Sequence, residues 1–174
     1  ASGNGEGAFA IDKLTGQISV HNSKLLDYER RSTFALMVVV VDDGPGRMSA
    51  AALCTVTVTN VNESPAFSSP SVHLSVSERK LAGSSVEGMA KATDIDASDT
   101  VVYSLLAEQE AGSNLGGVDA SFFSIDEKTG DLSLSTSAVL NYEERALYVF
   151  VVQAVDSGTP SLAASITVHV YVTN

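Results

Sequence analysis

Apolar and polar residues alternate along much of this chain with the period of two that a half-buried β-strand requires. Val168, Val170 and Val172 share one phase, while Thr167, His169, Tyr171 and Thr173 share the other. Earlier in the chain, Ala52, Cys54, Val56 and Val58 stand against Thr55, Thr57 and Thr59 in the same way. No segment sustains the helical period of 3.6 residues. In the later part of the chain the alternation predicts seven strands, near 71–77, 85–93, 100–106, 121–125, 131–135, 146–155 and 163–173, a spacing that suits a Greek-key sandwich.

The pattern occurs twice. Phe9-Ala10-Ile11-Asp12-Lys13-Leu14-Thr15-Gly16 matches Phe123-Ser124-Ile125-Asp126-Glu127-Lys128-Thr129-Gly130 at an offset of 114. The same ungapped register pairs Leu26-Asp27-Tyr28-Glu29 with Leu140-Asn141-Tyr142-Glu143, and Val41-Asp42-Asp43-Gly44 with Val155-Asp156-Ser157-Gly158. Roughly 20 of the 52 aligned positions are identical, far above chance. The chain therefore divides into the C-terminal part of a first repeat (1–60), a linker (61–66) and a second repeat (67–174). The first part corresponds to only the last four of the seven strands, which leaves a sandwich half open. The missing strands are expected in about fifty residues of chain further upstream.

Composition narrows the partners. A formal net charge of −11 repels phosphates, which excludes nucleic acid and anionic lipid and favours cations. Only 18% of residues are charged and 44% are hydrophobic, the mark of a packed chain and not of an acidic tail. The single Cys54 has no internal disulfide partner and falls in the apolar phase of its strand, as a small buried hydrophobe would. No apolar run approaches the roughly 18 residues of a membrane span, so this segment is expected to make no membrane contact.

Catalytic look-alikes dissolve into the repeat. Asp156-Ser157-Gly158 mimics the Asp-Ser/Thr-Gly of aspartic proteases, but the matching copy reads Asp42-Asp43-Gly44 and both sit at strand ends. Ser77-Glu78-Arg79-Lys80 with Lys128-Thr129-Gly130 imitates penicillin-recognising serine enzymes, whose Ser and Lys need a helix to present them together. His21, His73 and His169 show no close ligand spacing and read as surface residues. Asn62-Glu63-Ser64 is formally a glycosylation sequon, but Pro65 follows it. No enzyme is expected.

Ile-Asp-x-x-Thr-Gly, Leu-Asp/Asn-Tyr-Glu, Val-Asp followed by Gly, and the junction Asn60-Val61-Asn62-Glu63-Ser64-Pro65-Ala66-Phe67 together resemble cadherin repeats over nearly the whole chain. Ser77-Glu78-Arg79 and Ala92-Thr93-Asp94-Ile95-Asp96 resemble that family's strand-one Glu and its Asp-x-Asp loop. The fold this implies is all-β: tandem, immunoglobulin-like, seven-stranded Greek-key β-sandwiches. The cofactor it implies is Ca²⁺, held at the junction by Asp27 and Glu29 from the first repeat, by Val61, Asn62, Glu63 and Ser64 from the linker, and by Asp94, Asp96 and Asp156 from the second. Val61 and Ser64 would contribute carbonyl oxygens.

Calcium prefers six to eight hard oxygen ligands, and strand ends at one pole of a sandwich can converge them. The six carboxylates of Asp27, Glu29, Glu63, Asp94, Asp96 and Asp156 would repel one another if merely folded together, and three Ca²⁺ would neutralise them. Calcium is thereby expected to stiffen the linker. The sequence departs from the family's Asp-x-Asn-Asp-Asn linker at Asn60, Glu63 and Ser64. The strand-one Glu of the first repeat would precede Ala1, and Glu78, Asn141 and Glu143 would serve a following junction.

The resemblance implies an extracellular segment of a single-pass plasma-membrane adhesion protein. Its partners would be further cadherin-type repeats in the same chain and cadherin molecules on an opposing cell. With no Trp to anchor strand exchange, this pair reads as an internal spacer of a longer rod. The competing reading is a ligand- or carbohydrate-binding module of a secreted or matrix protein, which the absence of Trp and the scarcity of Tyr disfavour.

Overall fold

The computed structural model describes residues 3–4, 6–106 and 120–174. It separates into two compact units, Ala1–Val61 and Asn62–Asn174. Among the described residues both are built from β-strands and their connections, with one 3-10 turn at Ser23–Leu25 in the first and helical backbone at Ala120 in the second, and no helix is long and apolar enough to cross a membrane.

In the first unit β1 (Phe9–Ile11) pairs antiparallel with β2 (Ile18–Val20), and β3 (Thr33–Val41) pairs antiparallel with β4 (Ser49–Thr57). The β1–β2 connection is set by Asp12, whose Oδ1 accepts from the Thr15 and Leu14 amides at 2.7 and 2.9 Å and from the Thr15 hydroxyl. Gly16 then adopts φ +75°, a left-handed conformation that costs glycine nothing. The core is small: Ala8, Phe9, Phe34 and Leu36, with Ile18, Leu25, Leu26, Cys54, Val56 and Val58 against them. Phe9 meets Phe34 edge to face at 5.1 Å, and the Arg31 guanidinium covers the Phe34 ring at 4.2 Å.

The second unit packs two sheets face to face. One has the order β6 (Ser71–Ser77), β13 (Ala163–Thr173), β12 (Leu147–Val155), β9 (Val102–Leu105); the other has β10 (Phe123–Ile125), β11 (Leu132–Leu134), β7 (Ser85–Val86). The β6–β13 pair is parallel, Ser71 opposite Thr167 through Ser77 opposite Thr173, and the remaining pairs are antiparallel. Inward residues of both sheets form one core, with Phe150, Leu132, Leu134, Ile166, Val152, Val168 and Val170 fully enclosed. On the outer face of the parallel pair, His73 and His169 stack at 4.6 Å.

Strands 71–77 and 163–173 fall where the alternation puts them, and the others are trimmed by one to three residues. The strand expected over 85–93 is instead two. Its first piece, β7, pairs with β11, and its second, β8 (Ala92–Thr93), pairs with β5 (Ala66–Phe67), a short strand that the alternation does not reveal. The break occurs where the chain changes partners, around Gly88 at φ +90°, where a Cβ would press on Leu74 at 3.2 Å. Tyr103 holds the second piece: its buried hydroxyl accepts from the Ala92 amide at 3.1 Å and donates to the Ala92 carbonyl at 3.2 Å. That clamp fixes the backbone immediately before Asp94.

Candidate metal centre

One pole of the second unit gathers three backbone segments: residues 62–65 leading into β5, the loop Asp94–Thr100 after β8, and the loop Asp156–Leu162 joining β12 to β13. Pro65, fully buried, anchors the first of them. Asp156 closes the end of β12. Its amide donates to the Leu162 carbonyl, and its Oδ1 accepts from the Gly158 and Leu162 amides at 3.0 and 2.9 Å. Its Oδ2 accepts from Asn62 Nδ2 at 3.1 Å, and the same Nδ2 lies 2.8 Å from the Pro160 carbonyl oxygen.

The next residue reaches the other loop. The Glu63 amide donates to Asp96 Oδ2 at 2.9 Å, and carboxylate oxygens of Glu63 and Asp96 lie within 4.8 Å of each other. The Asp96 amide donates to Asp94 Oδ1 at 2.9 Å, which folds the Asp-x-Asp segment back on itself. Ser157 clasps the two loops: its hydroxyl accepts from the Thr100 amide at 3.1 Å and donates to Asp99 Oδ1 at 3.3 Å.

The second unit thus brings together five of the residues expected from the sequence: Asn62, Glu63, Asp94, Asp96 and Asp156. Asp96 and Asp156 are buried at 3% and 5% exposure, the only buried charged side chains among the described residues. Asp94 Oδ2 is buried without a hydrogen-bond partner, which is costly for a carboxylate oxygen unless something positive takes it up. The donor set is all oxygen, with no imidazole or thiolate, and suits a hard cation such as Ca²⁺ over zinc or copper. The residues present fit calcium on both counts.

Ser64 is exposed on the same segment, and Val61, 71% exposed, closes the first unit. Asp27 and Glu29 belong to the first unit, both exposed, on a turn in which Asp27 Oδ1 accepts from the Arg30 amide at 2.9 Å. The matching turn of the second unit has Asn141 Oδ1 accepting from the Glu143 amide at 3.1 Å, and there Glu78 Oε2 also accepts from the Tyr142 amide at 2.8 Å. The strand-one Glu of the second repeat therefore sits against the Leu-Asn-Tyr-Glu turn. Ser157 and Gly158 also belong to this pole; the sequence shows them within the repeated Val-Asp-x-Gly motif, but nothing in it assigns either a role at the site.

A tandem all-β array with an oxygen-rich pole defines the class, and comparison with known proteins supplies the family. The cadherin domain model matches residues 1–59 and 72–173. The chain belongs to the cadherin family, whose domains bind calcium and serve adhesion and not catalysis. It is 35% identical to human Protocadherin Fat 1 over 172 residues, covering 97% of this chain and 4% of that protein. It is 38% identical to the mouse Cadherin EGF LAG seven-pass G-type receptor 1 over 171 residues, covering 95% and 5% respectively. Among solved structures, mouse Cadherin-23 EC22-24 superposes with a TM-score of 0.72 at 31% identity, over 98% of this chain and half of that one. The chain spans only a few per cent of the length of those two curated relatives.

Proposed function

We propose that this chain is a pair of calcium-binding cadherin repeats from the extracellular part of a membrane-anchored adhesion protein, and that Ca²⁺ stiffens the linker at 61–66. In this reading Asn62, Glu63, Asp94, Asp96 and Asp156 supply the second repeat's share of the ligands. Asp27 and Glu29, with the Val61 and Ser64 carbonyls, complete the set. The pair acts as an internal spacer in a longer array, transmitting position and load between further repeats of the same chain, with adhesion to cadherins on an opposing cell residing in the whole rod.

The observation that carries this reading is the partnerless, buried Asp94 Oδ2 in a pole where Asp96 and Asp156 are themselves buried and tied to consecutive linker residues. Glu63 stands where the family has Asp, one methylene longer, so its carboxylate reaches further from a backbone already fixed by the bond to Asp96. Affinity is expected at about 10⁻⁴ to 10⁻³ M, the range of extracellular modules. Calorimetric titration with Ca²⁺, together with proteolysis of the linker with and without EDTA, tests it. Heat of binding and calcium-dependent protection of residues 61–66 are expected; absence of both removes the proposal.

A further inference from the structure

The Asn62 amide fills the space that a side chain on Gly158 would take. A Cβ built on Gly158 would lie 2.5 Å from Asn62 Nδ2 and closer still to its Oδ1 and Cγ, well inside van der Waals contact. The Gly158 backbone is outside the left-handed region, so this glycine is not required by its own torsion angles. What it provides is the room in which the Asn62 amide lies. That amide is held on its Nδ2 side by Asp156 Oδ2 and the Pro160 carbonyl, at 3.1 and 2.8 Å, with its Oδ1 and Cγ in the space that a Gly158 side chain would take. The equivalent Gly44 differs: a Cβ there would meet nothing nearer than Asp42 Oδ1 at 3.6 Å, an ordinary contact.

We propose that Gly158 is a positioning residue of the candidate cation site: by having no side chain it places the Asn62 amide, and through it sets how well Asn62 Oδ1 can serve as a ligand. The inference rests on the calcium reading above. An alanine at 158 overlaps only the far end of a flexible side chain, so the sandwich survives and the Asn62 amide is what moves. Loss of one fixed ligand in such a site is expected to weaken binding about tenfold or more.

The test is a double-mutant cycle in the whole chain, with Gly158→Ala, Asn62→Gly and the pair, and Gly44→Ala as the control. Two measurements are taken on each: the Ca²⁺ dissociation constant by calorimetry, and, in EDTA, thermal unfolding and the NMR resonances of the Asn62 side-chain amide. Gly158→Ala is expected to weaken calcium about tenfold, to leave the metal-free melting temperature within a few degrees, and to shift the Asn62 amide toward the values of a solvated amide. Asn62→Gly should weaken calcium similarly, and adding Gly158→Ala to it should do nothing more, since no amide remains to displace. Gly44→Ala should match the parent. Additive losses in the cycle, or an unmoved Asn62 amide in Gly158→Ala, overturn the assignment. Should the parent chain itself bind no calcium, the reading under Proposed function falls, while the metal-free amide shift still decides whether Gly158 positions Asn62.

Discussion

The β3–β4 ribbon of the first unit and the β12–β13 ribbon of the second carry the same pattern, residue for residue at the offset of 114, yet they have opposite fates. Val152, Ala154, Ile166 and Val168 are completely buried. Their counterparts Val38 and Cys54 are half-buried, Ala52 is exposed, and Val40 is 65% exposed. Even the register agrees, Val38 facing Ala52 as Val152 faces Ile166. The difference lies in what stands opposite. Val86, Phe123, Leu132 and Leu134 cover the second ribbon from β7, β10 and β11, whereas among the described residues Phe9 and Ile18 of β1 and β2 pack toward the Phe34–Leu36 end of the first. Alternation assigns a strand two faces, but burial of the apolar one depends on a second sheet.

The sharpest way to break this comparison is the identical valine at matched positions. Val152→Ala should destabilise the second unit by about 2 kcal/mol, the transfer and cavity cost of a fully enclosed side chain, while Val38→Ala should cost less than about 1 kcal/mol. Native-state hydrogen exchange of the β12 and β3 amides reads each unit separately; equal losses would show that the exposed ribbon is covered in solution. Next in size is the matched aspartate at the two strand ends. Asp156→Asn should weaken calcium about tenfold, some 1.4 kcal/mol, and Asp42→Asn, an exposed side chain that caps the Met48 amide at 3.0 Å, should leave it unchanged by calorimetry.

Tyr103→Phe removes the hydroxyl bridge to Ala92 and should cost about 1 kcal/mol, with exchange of the Ala92 amide rising ahead of the rest of the core. The smallest effect should be shared equally by the two units. Asp12 and Asp126 are held below the usual carboxylate range chiefly by the Thr15 and Thr129 backbone amides respectively, aided by the Thr hydroxyls and the Leu14 and Lys128 amides. A carboxyl whose folded pKa is depressed adds stability that is complete above its unfolded value of 3.8 and is lost as pH falls through the lower folded value. Asp12→Ala and Asp126→Ala should therefore each lower the melting temperature slightly at neutral pH. The difference from the parent should shrink below pH 3.8.

How much of this was legible in the sequence follows from the range of the interactions. Alternation is local, so the long strands β6, β12 and β13 can be read from side-chain type alone. The break inside 85–93 is not local: it arises because β7 and β8 serve different partners, and Gly88 marks it only once both partners are known. At the site, Asn62, Glu63, Asp94, Asp96 and Asp156 were legible as oxygen donors with the family's spacing. That Glu63 contributes its backbone amide to Asp96 as well as a carboxylate was hidden, because amides carry no sequence signature. Gly158 was hidden for the opposite reason, since its role is an empty volume that exists only where residue 62 comes to lie beside residue 158.

The parallel pairing of β6 with β13 has a mechanical consequence. Because the two strands run in the same direction, the chain enters the second unit beside the start of this pair and leaves beside its end. Tension applied between Asn62 and Asn174 drags β6 and β13 past one another, so the rungs from Ser71–Thr167 to Ser77–Thr173 are loaded together in shear. A ladder pulled in that direction must lose its rungs nearly at once and cannot unzip them in turn, so this seam resists a pull along the chain.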